Sequence, residues 1–507
     1  MKNNFKYLAL FAAAAVFVSC ENEFEDSVEN GDVYTAGEAD FSKYVAVGNS
    51  LTSGFADAAL YVEGQQNSFP NIMAQQFELV GGGVFNQPLV NDNLGGLLLN
   101  GTQITQNRFV LAANGGIPAG PIVLNGTPTT EVTNKFTGPL NNFGVPGAKS
   151  FHLGAAGYGS VAGVATGRAN PYYARFASDE NATVIGDAAA ANGTFFTLWI
   201  GNNDILSYAT SGGSGVNRNA SNAPENLNPA VYGGNDITNA NVFASVYSGY
   251  VTALTANGAK GALINIPDVT SIPFFTTVPF NAIPLDAPTA AFVNQSYANY
   301  NAAIAGYGQT PLLSTEEAAA RRINFAAGQN AVVILDDDLT ALPNPANPSQ
   351  MLPKLRQATA QDLITFPTAS ILGTLANPND PTSVRGVAVP LANANVLTVR
   401  EQARVKAAQD SYNATIAALA AANGLALVDA QAALRTVADT GVSFNGGVLT
   451  STYASGGAFS LDGVHPTPRG YAFTANTILN AINSTYNSNV PSVNIGQYKS
   501  VQPSNGL

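Results

Sequence analysis

Histidine and cysteine are nearly missing from this chain: there are two of the first, at 152 and 465, and one of the second, at 20, in 507 residues. A lone cysteine excludes an intrachain disulfide. Zinc catalysis takes about three protein ligands, most often histidine, so this supply disfavours it. The run Asp336-Asp337-Asp338 lacks the spaced oxygen ligands of a calcium loop and reads as a solvated strand end. Charge is scarce too. Charged residues are 11% of the chain, the net charge is -12, and there are no Lys/Arg clusters. Nucleic acid and anionic membrane both need a basic face, so neither is expected as an electrostatic partner. Apolar residues make up 46%, enough for a large core, and the remaining surface is mostly Asn, Thr, Ser and Gly, which suits an exported protein.

Lys2 and Lys6 precede an apolar run from Tyr7 to Val18 that closes on Ser19-Cys20. A basic stretch, a short apolar segment and a small residue before the cut predict a signal peptide over residues 1–20. The run is shorter than the roughly 20 residues of a membrane-spanning helix. A single cysteine directly after it resembles a bacterial lipoprotein box, with Cys20 as the lipidated mature N-terminus and Phe17 where Leu is usual. That resemblance implies export and lipid anchoring to the outer membrane, on either face. The acidic ENEFEDSVENGD that follows reads as a solvated tether over residues 21–40. It is similar to the post-cysteine stretch of surface lipoproteins of Bacteroidetes-type bacteria.

Apolar runs at Tyr44–Val47, Phe195–Ile200, Ala262–Ile266, Val332–Leu335 and Leu425–Val428 end at turn residues and predict buried strands. Helical spacing lies between them, at Asn71–Phe77 behind Ser68-Phe69-Pro70, at Val242–Ala256, at Val399–Ala422 and at Tyr471–Ile482. Strands alternating with helices predict an α/β fold with a parallel sheet covered on both faces. The rhythm places one domain over residues 41–490, with a tail at 491–507. It breaks near 81–141 and 271–395, where Gly, Pro, Asn and Thr predict insertions or lids. The second break holds SIPFFTTVPFNAIPL, a segment suited either to an acyl-binding cleft or to the core of an inserted subdomain.

Candidate chemistry starts from His465, with Asp462 three residues before it in SLDGVHPTPRGY. Positions i and i+3 of a tight turn share a side, so the carboxylate can hold the imidazole Nδ1–H and leave Nε2 as a base. The alternative is a capping Asp beside a surface His. A nucleophile for that base is Ser50 in KYVAVGNSLTSG, just past a strand end, where ligand sites of parallel sheets lie. Its alternative is a simple N-cap. Gly201-Asn202-Asn203-Asp204 also follows a buried strand and offers a side-chain amide as an oxyanion donor. NFGVPG at 142–147 offers backbone N–H groups on a glycine loop. Each loop alone is an ordinary turn.

Taken in order, the four segments resemble the blocks of the SGNH (GDSL-like) hydrolases. GNSLTSG looks like the first and gives Ser50, with Asn49 where the family usually has Asp. NFGVPG looks like the second and gives Gly147, ahead of Gly144. GNND looks like the third and gives Asn203, and DGVH looks like the last and gives Asp462 and His465. The resemblance covers roughly 41–80, 140–270 and 395–490. It implies a flavodoxin-like three-layer α/β/α sandwich of about five parallel strands. It also implies a Ser-His-Asp esterase or lipase whose oxyanion hole is the Ser50 and Gly147 N–H groups and the Asn203 amide. The implied partner is a small-molecule, lipid or glycan ester. A catalytically silent capture lipoprotein and an acyltransferase are the competing readings. His152 is left without a role.

Overall fold

The computed structural model describes residues 33–114, 117–221 and 223–504. The expected signal segment, Cys20 and the tether up to residue 32 lie outside them.

Five parallel strands form the central sheet: β1 (Tyr44–Gly48), β2 (Asn142–Gly144), β3 (Phe195–Trp199), β4 (Lys260–Ile264) and β5 (Ala426–Val428). Their spatial order is β2-β1-β3-β4-β5, one of the two common doubly wound orders. Every residue of β1 and β3 is buried, as a strand with both faces covered must be.

The helices that matter are α1 (Ser50–Ser53), α2 (Phe69–Glu78), α3 (Val184–Ala190), α4 (Asn203–Thr210), α5 (Ala240–Thr255), α6 (Val399–Asn423), α7 (Ala430–Asp439) and α8 (Pro468–Tyr486). Side chains alternate along a strand, so one sequence parity of β3 meets one helical layer. Phe195 packs edge-on against Phe77 of α2 and Tyr486 of α8, and Trp199 against Phe69 of α2. Helices α3, α5 and α6 pack on one another and form the other layer. Each fully buried Phe stabilises the fold by about 1.5–3 kcal/mol.

Local chemistry sets the helix ends. Helix α6 opens with a capping box, in which Thr398 accepts the Glu401 N–H and the Glu401 carboxylate accepts the Thr398 N–H, and it closes at left-handed Gly424. Helix α8 starts at Pro468 behind Thr467, whose hydroxyl accepts the Gly470 N–H at 3.1 Å.

Several expectations change. Val333–Leu335 is a strand, but it pairs antiparallel with Leu355–Gln357 outside the central sheet. The fifth sheet strand is Asn142–Gly144, whose NFG has no apolar run to announce it. Asp336 is not a solvated strand end: it is buried and ion-paired to Arg356 at 2.7 Å, with Asp362 on the same guanidinium at 2.6 Å. Residues 271–395 carry their own core around Ile304, Ile323, Val333 and Ile364. Within SIPFFTTVPFNAIPL, Phe275 joins the main core, while Val278 and Ile283 join this second one. The stretch expected as a tail is docked through residue 504, with Ile495 in the main core and Pro503–Ser504 paired to Phe109–Asn114.

Candidate active site

The nucleophile candidate sits on a turn that only glycines permit. Strand β1 ends at Gly48, and α1 crosses directly over Gly48 and Gly144. A Cβ on Gly144 would lie 2.4 Å from the Ser53 nitrogen, and one on Gly48 would lie 2.2 Å from the Thr52 hydroxyl. Asn49 caps this short helix, its Oδ1 accepting the Leu51 N–H at 3.0 Å while its Nδ2 donates to Asn202 Oδ1 at 3.1 Å. Ser50 is therefore the first helical residue, buried, with an N–H among those that a helix start leaves unpaired.

The loop from 460 to 466 brings the last block to the same rim. His465 Nε2 lies 2.9 Å from Ser50 Oγ, and His465 Nδ1 lies 2.8 Å from Asp462 Oδ2. Burial alone would push the Asp462 carboxyl up. The His465 ring and the backbone N–H groups of His465 and Val464 outweigh it and bring the carboxyl down to about 2. An ionised carboxylate only accepts, so Nδ1 must donate to it. The neutral ring then carries no proton on Nε2, which is left to accept from the Ser50 hydroxyl. The Phe55 ring packs against the imidazole at a tilt of 51°, with centroids 4.7 Å apart.

Asn203, first residue of α4, lines the same cavity as Ser50 and His465. One of its amide hydrogens goes to the Ala148 carbonyl at 2.9 Å, which leaves the other for a ligand and ties the third block to the second. Gly147 precedes that alanine, has φ +79°, and its N–H meets no acceptor among the described residues. Gly144 is no such donor, because its N–H is held by Asn142 Oδ1 at 2.9 Å. Behind the donors, buried Asp204 accepts the Ser150 N–H and hydroxyl at 2.8 and 2.5 Å. Burial pushes its carboxyl up, against those bonds and the nearby Lys149 charge.

His152 is turned away from this cluster, into an open cleft that Gly147 also borders. Its Nδ1 accepts the Lys149 N–H at 3.0 Å and its ring stacks on Tyr158, with centroids 4.6 Å apart. Burial, aided by the Lys149 charge, pushes the imidazole down to about 4.

Sequence reasoning missed the support beneath Asp462. Asp57 and Ala58 both have left-handed backbone, φ 52° and 64°. Ala58 donates its N–H to Asp462 Oδ2 at 2.9 Å. Asp57 donates its N–H to Ser460 Oγ, which in turn donates to Asp462 Oδ1 at 3.1 Å. The Asp57 carboxylate accepts the Leu461 N–H and the Tyr61 hydroxyl, both at 2.9 Å. The only hint was an Asp, a residue that tolerates left-handed backbone better than most.

No protein-family model, no curated protein and no solved structure matches the chain.

Proposed function

We propose that the protein is a serine ester hydrolase of the SGNH type, cleaving carboxylic esters through an acyl-enzyme. The observation that carries this reading is the Ser50–His465–Asp462 relay: a 2.9 Å bond joins Ser50 to His465, 415 positions away, and a 2.8 Å bond joins His465 to Asp462. His465 Nε2 takes the Ser50 proton as Ser50 Oγ attacks the carbonyl carbon. Charge then gathers on the carbonyl oxygen, opposite the Ser50 and Gly147 N–H groups and the Asn203 amide. Collapse of that intermediate breaks the ester C–O bond, and His465 gives its proton to the departing alcohol. Water, deprotonated by the same nitrogen, attacks the acyl carbon and returns free acid and Ser50. The residues need no cofactor. A capture protein without turnover has no use for an imidazole tautomer fixed by a carboxylate, so the intact relay favours the enzyme.

We further propose, from the lipobox resemblance, that the chain is exported and anchored through Cys20, which [³H]palmitate labelling of the native chain and of Cys20→Ser would test. The purified protein should turn over p-nitrophenyl acetate, and Ser50→Ala should lower kcat by at least ~10³. Equal turnover by both proteins would place the chemistry elsewhere.

A further inference from the structure

The Ser50 hydroxyl opens onto an apolar cavity of about 120 Å³. Asn49, Ser50, Asn202, Asn203 and His465 supply one polar part of its lining. Among the described residues no Asp, Glu, Lys or Arg lines it. The wall comes from Ile264 and Val428 at the strand ends, from the 267–272 loop, and from α7 and α8.

Helix α7 contributes Ala430, Ala433, Leu434 and Val437, the i, i+3, i+4, i+7 stripe of an amphipathic helix. Here the stripe is shared between core and cavity: Val437 is buried in the main core, while Ala430, Ala433 and Leu434 stay only half-buried along the cavity wall. Helix α8 contributes Phe473, Thr474, Thr477 and Ile478. Both threonines are apolar in effect. Thr474 Oγ1 donates to the Gly470 carbonyl and Thr477 Oγ1 to the Phe473 carbonyl, each at 3.0 Å, which leaves methyl groups for the cavity.

Both helices begin at the rim that carries Ser50 and run away from it. The α8 wall from Gly470 to Ile478 is ~12 Å long, the reach of an acyl chain of roughly eight carbons. A sugar or an ionised group inside would lose its hydrogen bonds to water and find none in return. A hydrocarbon loses nothing.

The geometry points to this cavity as the acyl-chain site: it takes an unbranched, uncharged chain of roughly eight carbons while the alcohol stays outside, an inference that rests on the hydrolase reading for its chemistry. Each buried methylene is worth about fourfold in kcat/KM. Across p-nitrophenyl esters, kcat/KM should climb by about that factor per carbon from acetate and level off near octanoate. Ala433→Phe, which fills the middle of the channel, should lower the octanoate-to-acetate ratio of kcat/KM by at least ~100-fold. A flat wild-type profile, or a ratio unmoved in Ala433→Phe, overturns the cavity assignment and leaves the hydrolase standing.

A second readout does not need turnover. Trp199, the single tryptophan of the chain, lines the cavity. In Ser50→Ala, ethyl octanoate should change its emission saturably at concentrations where ethyl acetate does not. If no ester is hydrolysed yet this signal appears, the cavity assignment holds and the hydrolase reading falls. If ethyl octanoate leaves the emission unchanged, the cavity assignment falls.

Discussion

Asp462→Asn probes the relay at its most constrained point. The Asp462 carboxylate accepts five hydrogen bonds: Oδ1 from the Val464 and His465 N–H groups at 2.8 Å and the Ser460 hydroxyl at 3.1 Å, Oδ2 from the Ala58 N–H at 2.9 Å and His465 Nδ1 at 2.8 Å. An amide keeps only one oxygen. Setting that oxygen at Oδ1 retains two backbone bonds and a hydroxyl, so the NH₂ must face Ala58 and the imidazole. Nδ1 then becomes an acceptor and the ring proton moves to Nε2, where it points at Ser50 Oγ and blocks proton transfer. The wrong tautomer costs about 10⁴ in kcat. The Ala58 N–H loses its acceptor as well, which costs about 1–3 kcal/mol of stability. The assay is kcat/KM on p-nitrophenyl acetate together with urea unfolding of both proteins. A rate loss below tenfold in a folded variant would refute the tautomer argument.

Three further outcomes follow from the same geometry. Asn203→Ala should lower kcat about 10²–10³-fold with little change in KM, because its free amide hydrogen meets charge that exists only in the transition state; steady-state kinetics decide it. Asn49→Ala should lose about 1 kcal/mol in urea unfolding by uncapping α1, whereas Asn49→Asp keeps the Leu51 bond and should lose less, since Asn202 can turn its amide to donate. Native His152, held down at about 4 against 6.5 for the free ring, binds fewer protons than the unfolded chain between those values. The stability this gives is complete above pH 6.5 and falls as pH drops toward 4, by about 3 kcal/mol at most. Urea midpoints across that window should slope less in His152→Asn.

The sheet and the candidate triad are legible in the sequence because their signals are local. Four buried runs each end in a turn rich in Gly, Asn or Asp, and a parallel sheet gathers such ends at one rim. Partner choice is not local. Val333–Leu335 has the same apolar pattern as the core strands, yet nothing in it says that it pairs with Leu355–Gln357. Strand β2 hides for the opposite reason, being three residues of NFG held by register with Ala46–Gly48. Asp57 and Ala58 take left-handed backbone from contacts about 400 positions away, so beyond the Asp itself SGFADAAL carries no mark of supporting Asp462. The α7 stripe exists in the sequence as spacing, but a stripe that partly faces a void has the same letters as one that faces a core.

Ser50 activated by His465 is the central claim, and a fluorophosphonate probe tests it without any assumption about the ester. The probe should add to one peptide of the intact protein, with fragmentation placing it on Ser50, and His465→Ala should slow labelling by at least ~10². Labelling at another residue, or at Ser50 at the same rate without the imidazole, would contradict it.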